Sequence, residues 1–114
     1  MPQLTVYCLC AAWCRTCDAY APVFRSLEQR WPQQVRWVWV DIEEQADAMG
    51  DVDVDNFPSL MMVDVQGVVF FGPVLPHTDV ACRLIECLLQ SHASALPSGA
   101  LQQLAARLAH IHAS

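Results

Sequence analysis

The stretch Leu4-Thr5-Val6-Tyr7-Cys8-Leu9-Cys10-Ala11-Ala12-Trp13-Cys14-Arg15-Thr16-Cys17 decides the fold, because hydrophobic patterning changes period within it. Leu4–Cys10 is a continuous apolar run, the pattern of a buried strand. Leu4, Val6, Cys8 and Cys10 would share one face, with Thr5, Tyr7 and Leu9 on the other. Beyond Cys14 the apolar residues Tyr20, Val23, Phe24, Leu27 and Trp31 recur at helical spacing. A helix is therefore predicted from about Cys14 to Trp31, with Pro32 helping to end it.

Working outward, Val35–Ile42 reads as a second strand and Glu43–Met49 as a short helix before Gly50. Ser59–Asp64 and Val68–Phe71 flank a turn at Gly67, as a hairpin requires. A helix follows from about Thr78 to Gln90, with Val80, Leu84, Cys87 and Leu88 on one side. The last helix, about Gly99–His112, carries a stripe of Leu101, Leu104, Leu108 and Ile111 behind a candidate N-cap at Ser98. The order β-α-β-α-β-β-α-α predicts an α/β fold: a four-stranded mixed sheet with helices on both faces. Residues 1–91 are expected to form the main domain, 92–98 a linker, and 99–114 a helical extension packing on the domain.

With 114 residues, 54% hydrophobic and 16% charged, the chain has the material for one well-filled core. A net charge of −6 argues against nucleic acid or anionic lipid as partners. No run reaches the ~18 apolar residues that a membrane span needs. Leu4–Ala12 lacks the basic flank of a signal peptide, so a cytoplasmic location is expected. The six cysteines, Cys8, Cys10, Cys14, Cys17, Cys82 and Cys87, fit a reducing compartment with one reactive pair better than a disulfide scaffold.

That pair is Cys14-Arg15-Thr16-Cys17, placed where a strand gives way to a helix. Unpaired N–H groups and the positive end of the helix dipole stabilise a thiolate at Cys14, and Arg15 adds a nearby cation. The thiolate is the nucleophile of disulfide exchange; Cys17, about one turn on, can resolve a mixed disulfide. Two other readings stand beside this one: a pair of buried structural thiols, or half of a zinc site. The zinc reading needs two further ligands, and none appears at a recognisable spacing, so no metal is expected.

The chain resembles the thioredoxin family through Ala12-Trp13-Cys14-Arg15-Thr16-Cys17, through Ala21-Pro22, and through Phe57-Pro58-Ser59 ahead of the hairpin, over roughly residues 3–90. The resemblance implies a thioredoxin-like fold with an extra C-terminal helix. It also implies a thiol–disulfide oxidoreductase acting through Cys14 and Cys17, with a redox-active disulfide in place of any cofactor. Protein thiols or disulfides would be its substrates, with an unidentified electron donor or acceptor. Trp13 would shield the reactive sulfur, Phe57, Pro58 and Ser59 would grip an extended substrate, and Pro22 would kink the long helix.

Four departures qualify the resemblance. Cys8 stands where the family usually buries an aspartate behind the pair, and Trp39 where a lysine commonly accompanies it, so both are expected behind the site. Arg15-Thr16 replaces the usual Gly-Pro. The family's first strand and helix are expected to be missing, leaving a sheet face for the C-terminal helix to cover. That helix packed within a monomer is the expectation, and a dimer through the same helix the alternative. These departures keep open a second function, a thioredoxin-like binding or chaperone module with little redox turnover.

Overall fold

In the computed structural model the described residues are 3–11, 14–50, 52, 54, 58–74, 78–90 and 95–111. They form, in order, β1 (Leu4–Cys10), α1 (Arg15–Arg30), β2 (Val35–Asp41), α2 (Ala46–Met49), β3 (Ser59–Asp64), β4 (Gly67–Pro73), α3 (Thr78–Gln90) and α4 (Gly99–Ile111). One sheet holds all four strands in the order β2-β1-β3-β4. The α1 crossover makes β1 and β2 parallel, while β3 pairs antiparallel with both β1 and β4. The chain opens on β1 and α1. This corrects the expectation of a missing N-terminal strand and helix: a strand and a helix are there, and the cysteine pair lies where they meet.

The continuous apolar run in β1 follows from burial on both sides. Val6, Cys8 and Cys10 face a core built with Cys17, Tyr20, Phe24 and Leu27 of α1 and with Ala81, Cys82 and Ile85 of α3. Tyr7 and Leu9 face a second core with Ala48 and Met49 of α2 and Leu104, Ala105 and Leu108 of α4. Strand alternation thus divides one sequence between two apolar layers. Helix α4 covers the second face of its own sheet, as its leucine stripe predicts, although Ile111 at its end is exposed.

Anchoring of α4 is polar as well as apolar. The Leu101 N–H donates to Ser98 Oγ at 3.3 Å, so Ser98 is the N-cap the sequence suggested. Gln102 accepts from the Val68 N–H at 2.9 Å and donates to the Leu96 carbonyl at 3.2 Å. Since β4 is an edge strand, this carboxamide and the Leu96 N–H, which donates to the Val68 carbonyl at 2.8 Å, satisfy backbone groups that no strand pairs. The hairpin closes at Gly67, whose φ of 119° suits glycine alone, and a Cβ there would overlap Gln102.

Two local expectations are revised. Helix α2 starts at Ala46 instead of Glu43, because Asp41 Oδ1 accepts from the N–H groups of Glu43 at 2.9 Å and Glu44 at 3.4 Å and holds them in a turn. In α3 the buried face is Ala81, Cys82 and Ile85, whereas Val80 and Cys87 are exposed. The predicted stripe was rotated by about one residue, which is enough to turn a side chain from core to solvent at ~100° per residue.

Candidate functional site

The cysteine pair is set by the end of β1. Cys14 is the N-cap of α1, with extended backbone (φ −89°, ψ 118°), and its N–H donates to the Ala11 carbonyl at 3.0 Å. The cap position leaves the next N–H groups without helical partners. They turn to the Cys14 sulfur: backbone N–H donation from Cys17, then from Thr16, together with the Thr16 hydroxyl, holds this thiol below its ordinary range. Arg15, the next residue, is exposed. Cys14 is half-exposed and Cys17, one turn on, is 1% exposed. Burial, reinforced by the neighbouring Cys10, pushes the Cys17 thiol up. One spacing of three residues therefore yields an accessible sulfur with a stabilised anion and a buried sulfur held neutral.

Behind the pair lies a line of sulfur that the sequence only half revealed. Cys17 shares its core with Cys10 and has Cys14 packed against that core, and both sulfurs disfavour its thiolate. Cys10 Sγ in turn lies 3.5 Å from Cys8 Sγ. Cys8 is 0% and Cys10 2% exposed, and the bond to Cys8 followed by burial drives the Cys10 thiol far up. Cys10 is the neighbour that acts on the Cys17 thiol, with Cys8 next along the same face of β1. The signal was present in the shared face of Cys8 and Cys10; what decides between them is how α1 crosses β1. No disulfide joins any of the six cysteines.

Trp39 corrects its expectation. It pairs in register with Cys8, yet it is 38% exposed, because β2 is the sheet edge and α1 reaches only part of it. Phe24 holds both Trp37 and Trp39 edge-on, with centroids 5.3 and 5.4 Å apart. Trp39 therefore forms a surface hollow with Ala21, Phe24, Arg25 and Glu28 instead of backing the cysteines. Pro22 lies in the exposed middle of α1, which runs through it unbroken.

Pro58 and Ser59 are buried. Leu9 pairs with Ser59, so Pro58 lies at the end of the sheet where β1 leads toward Cys14, and its carbonyl accepts from the Val74 N–H at 3.0 Å. Trp13 and Phe57 lie outside the described residues. Among the described residues no group of three or more His, Cys, Asp or Glu is disposed to hold a metal, and no helix is long and apolar enough to cross a membrane. A pocket of about 480 Å³ between α2 and α4 is lined by Asp47, Ala48, Ala106, Arg107, His110 and Ile111. It is on the sheet face opposite the cysteines, so it takes no part in their chemistry.

Comparison with known proteins agrees with this fold. The chain is similar to thioredoxin C-2 of Corynebacterium nephridii (35% identical over 52 residues, 46% of this chain and 48% of the relative). It is also similar to thioredoxin of Bacillus subtilis (30% identical over 53 residues, 46% and 51%). The matches thus span about half the length of these curated relatives. Among solved structures, mitochondrial thioredoxin 3 of Saccharomyces cerevisiae in its oxidized form superposes with a TM-score of 0.67 at 22% identity, covering 77% of this chain and 81% of that one. At that identity the likeness speaks to the fold. The family model described as Thioredoxin matches residues 3–70, more than half of the 114, and on that match the chain belongs to the thioredoxin family.

Proposed function

We propose that this chain is a thiol–disulfide oxidoreductase that exchanges disulfides with protein substrates through Cys14 and Cys17. The observation that carries the reading is the asymmetry of the pair: Cys14 is accessible with its thiol lowered, and Cys17 is buried beside it with its thiol raised. The Cys14 thiolate attacks a substrate disulfide, forming a mixed disulfide and expelling one substrate thiolate. Cys17 gives up its proton and attacks Cys14 Sγ, which releases the second substrate sulfur and leaves a Cys14–Cys17 disulfide. An electron donor, itself a thiol system, returns the pair to the dithiol. No further cofactor enters.

Thr16 supports the reading through its hydroxyl on the Cys14 sulfur. Trp13, Arg15, Phe57, Pro58 and Ser59 would frame the substrate around that sulfur, and Pro22 would shape the helix that presents it. Residues 1–91 would act as the working domain, with 99–114 as a covering extension joined through 92–98. A monomer in the reducing cytoplasm suits a pair that a thiol donor returns to the dithiol.

The test is a Cys17→Ser trap. Proteins held on Cys14 as reducible mixed disulfides, together with insulin disulfide reduction by the native chain, support the reading. Failure of the native chain to cycle between dithiol and disulfide would sink it. One observation favours a second reading, a binding or chaperone module with little turnover. Cys17 is a reluctant acid, and the group beneath the pair is a thiol where a carboxylate would draw off the proton. That reading expects partner binding to survive Cys14→Ser/Cys17→Ser unchanged.

A further inference from the structure

We infer that the open edge of β2 pairs with the same edge of a second copy of this chain, joining two four-stranded sheets into one about a two-fold axis. The two edges of the sheet differ. On β4 the Gln102 carboxamide and the Leu96 N–H cover Val68, the β3–β4 register shifts between Met62 and Val63, and the strand ends on Pro73. Such features keep an edge from adding strands. Val35–Asp41 has none of them: its register with β1 is unbroken, and it holds neither proline nor glycine.

Strand geometry says which backbone groups face outward. The Ile42 N–H donates to the Cys10 carbonyl at 2.9 Å, so the alternate residues before it, Val40, Val38 and Arg36, turn N–H and C=O toward β1. Those of Trp37 and Trp39 turn away, and among the described residues no strand or loop takes them up. At the ends the outward groups are half taken. The Val35 N–H donates to the Trp31 carbonyl at 3.2 Å, and the Asp41 carbonyl accepts from the Gln45 N–H at 3.0 Å.

Three observations name a second copy as the occupant. Trp37-Val38-Trp39 reads the same in both directions, so an antiparallel two-fold centred on Val38 sets Trp37 opposite Trp39 of the other copy. In that register the two residues exchange both backbone bonds, and the open Val35 carbonyl meets the open Asp41 N–H. Centring on Trp37 or Trp39 instead sets taken groups against open ones. The opposed indoles add a cross-strand aromatic pair. Second, the hollow in which Trp39 is 38% exposed is flanked by Arg25 and Glu28. Each copy thus brings one cation and one anion to the join, which balances there although the chain as a whole carries −6. Third, only β2 is open, so pairing closes at two copies. The cysteine pair follows β1, one strand in from the join, so each copy keeps a complete site and the monomer remains the unit of exchange.

The test follows the full reduced chain by sedimentation velocity from about 5 to about 500 μM, since pairing obeys mass action. The expected result is reversible passage from the mass of one chain to that of two, with nothing larger. Residue-resolved amide exchange should slow about threefold or more at Trp37 and Trp39 between those concentrations. It should not change at Val38 and Val40, whose N–H groups already bond to β1. Trp39→Lys puts a charge on the open edge, keeps the bonding to β1, and should hold the chain monomeric with native circular dichroism. A native chain that stays monomeric throughout overturns the inference. So does a dimer whose Trp37 and Trp39 amides exchange as fast as in the monomer, or one that survives in folded Trp39→Lys, because either places the join elsewhere, α4 included. Assemblies that grow past two copies overturn the closed pair. Should Trp39→Lys fail to fold, amide exchange in the native chain decides alone.

Discussion

Raising the pH from 9 to 10.5 should destabilise the reduced protein through the thiols behind its site. Burial and sulfur contacts push Cys10 and Cys17 above the ordinary thiol range, and burial raises Tyr20, whose hydroxyl is buried without a hydrogen-bond partner. A group with a raised folded pKa contributes its stability below the unfolded pKa and loses it as pH climbs toward the folded value. With unfolded thiols near pKa 8.5, each buried thiol loses about 2 kcal/mol over this interval, at about 1.4 kcal/mol per pH unit. Tyr20, starting from about 10, adds about 1 kcal/mol, for a total near 5 kcal/mol. Cys14 has the opposite sign: its lowered thiol contributes stability above the ordinary range and loses it as pH falls, so it is constant over this interval. Against a typical stability of about 5–15 kcal/mol the loss is large. Urea titration in reductant should show the midpoint falling by about 2.5 M for an m-value of about 2 kcal/mol/M. Oxidising the protein removes Cys17 from the titration and should leave about 3 kcal/mol of the effect. A midpoint unchanged between the two pH values would refute the assignment of neutral, buried thiols.

Other outcomes follow from the same geometry. Iodoacetamide should modify Cys14 first, with a pH–rate midpoint below the ordinary thiol range, and should leave Cys17 unmodified until the chain unfolds; a Cys14 midpoint at or above that range would contradict the N–H donors described. Leu104→Ala, at 0% exposure on the face opposite the cysteines, should cost about 3 kcal/mol in urea denaturation with Cys14 alkylation unchanged. Gly67→Ala and Gln102→Ala should each cost about 1–2 kcal/mol, and the double variant less than the sum, because both disturb the same clasp between β4 and α4.

Much of this was legible locally. Strand alternation in Leu4–Cys10 separates Cys8 and Cys10 from Tyr7 and Leu9, and the structure keeps that separation in two cores. The change of period at Cys14 places the pair at a helix start, and Ser98 caps the helix it precedes. Reading failed where a side chain's fate depended on a neighbouring element. In α3 a small rotation of the stripe sent Cys87 outward and Cys82 inward, where Cys82 Sγ accepts from Arg30 Nη1 at 2.7 Å. In α2 the Asp41 side chain competed for the first turn and won.

The sequence alone determined the Cys14–Cys17 pair, its seat at a strand-to-helix junction and the two apolar faces of β1, because period and capping are properties of consecutive residues. Only the tertiary structure decided that Cys8, Cys10 and Cys17 share one core, that Trp39 comes to the surface on an edge strand, and that α4 seals the far face of the sheet. Those outcomes depend on sheet order and on the crossing of helices over strands. They are set by packing among segments distant in the chain, which no local pattern records.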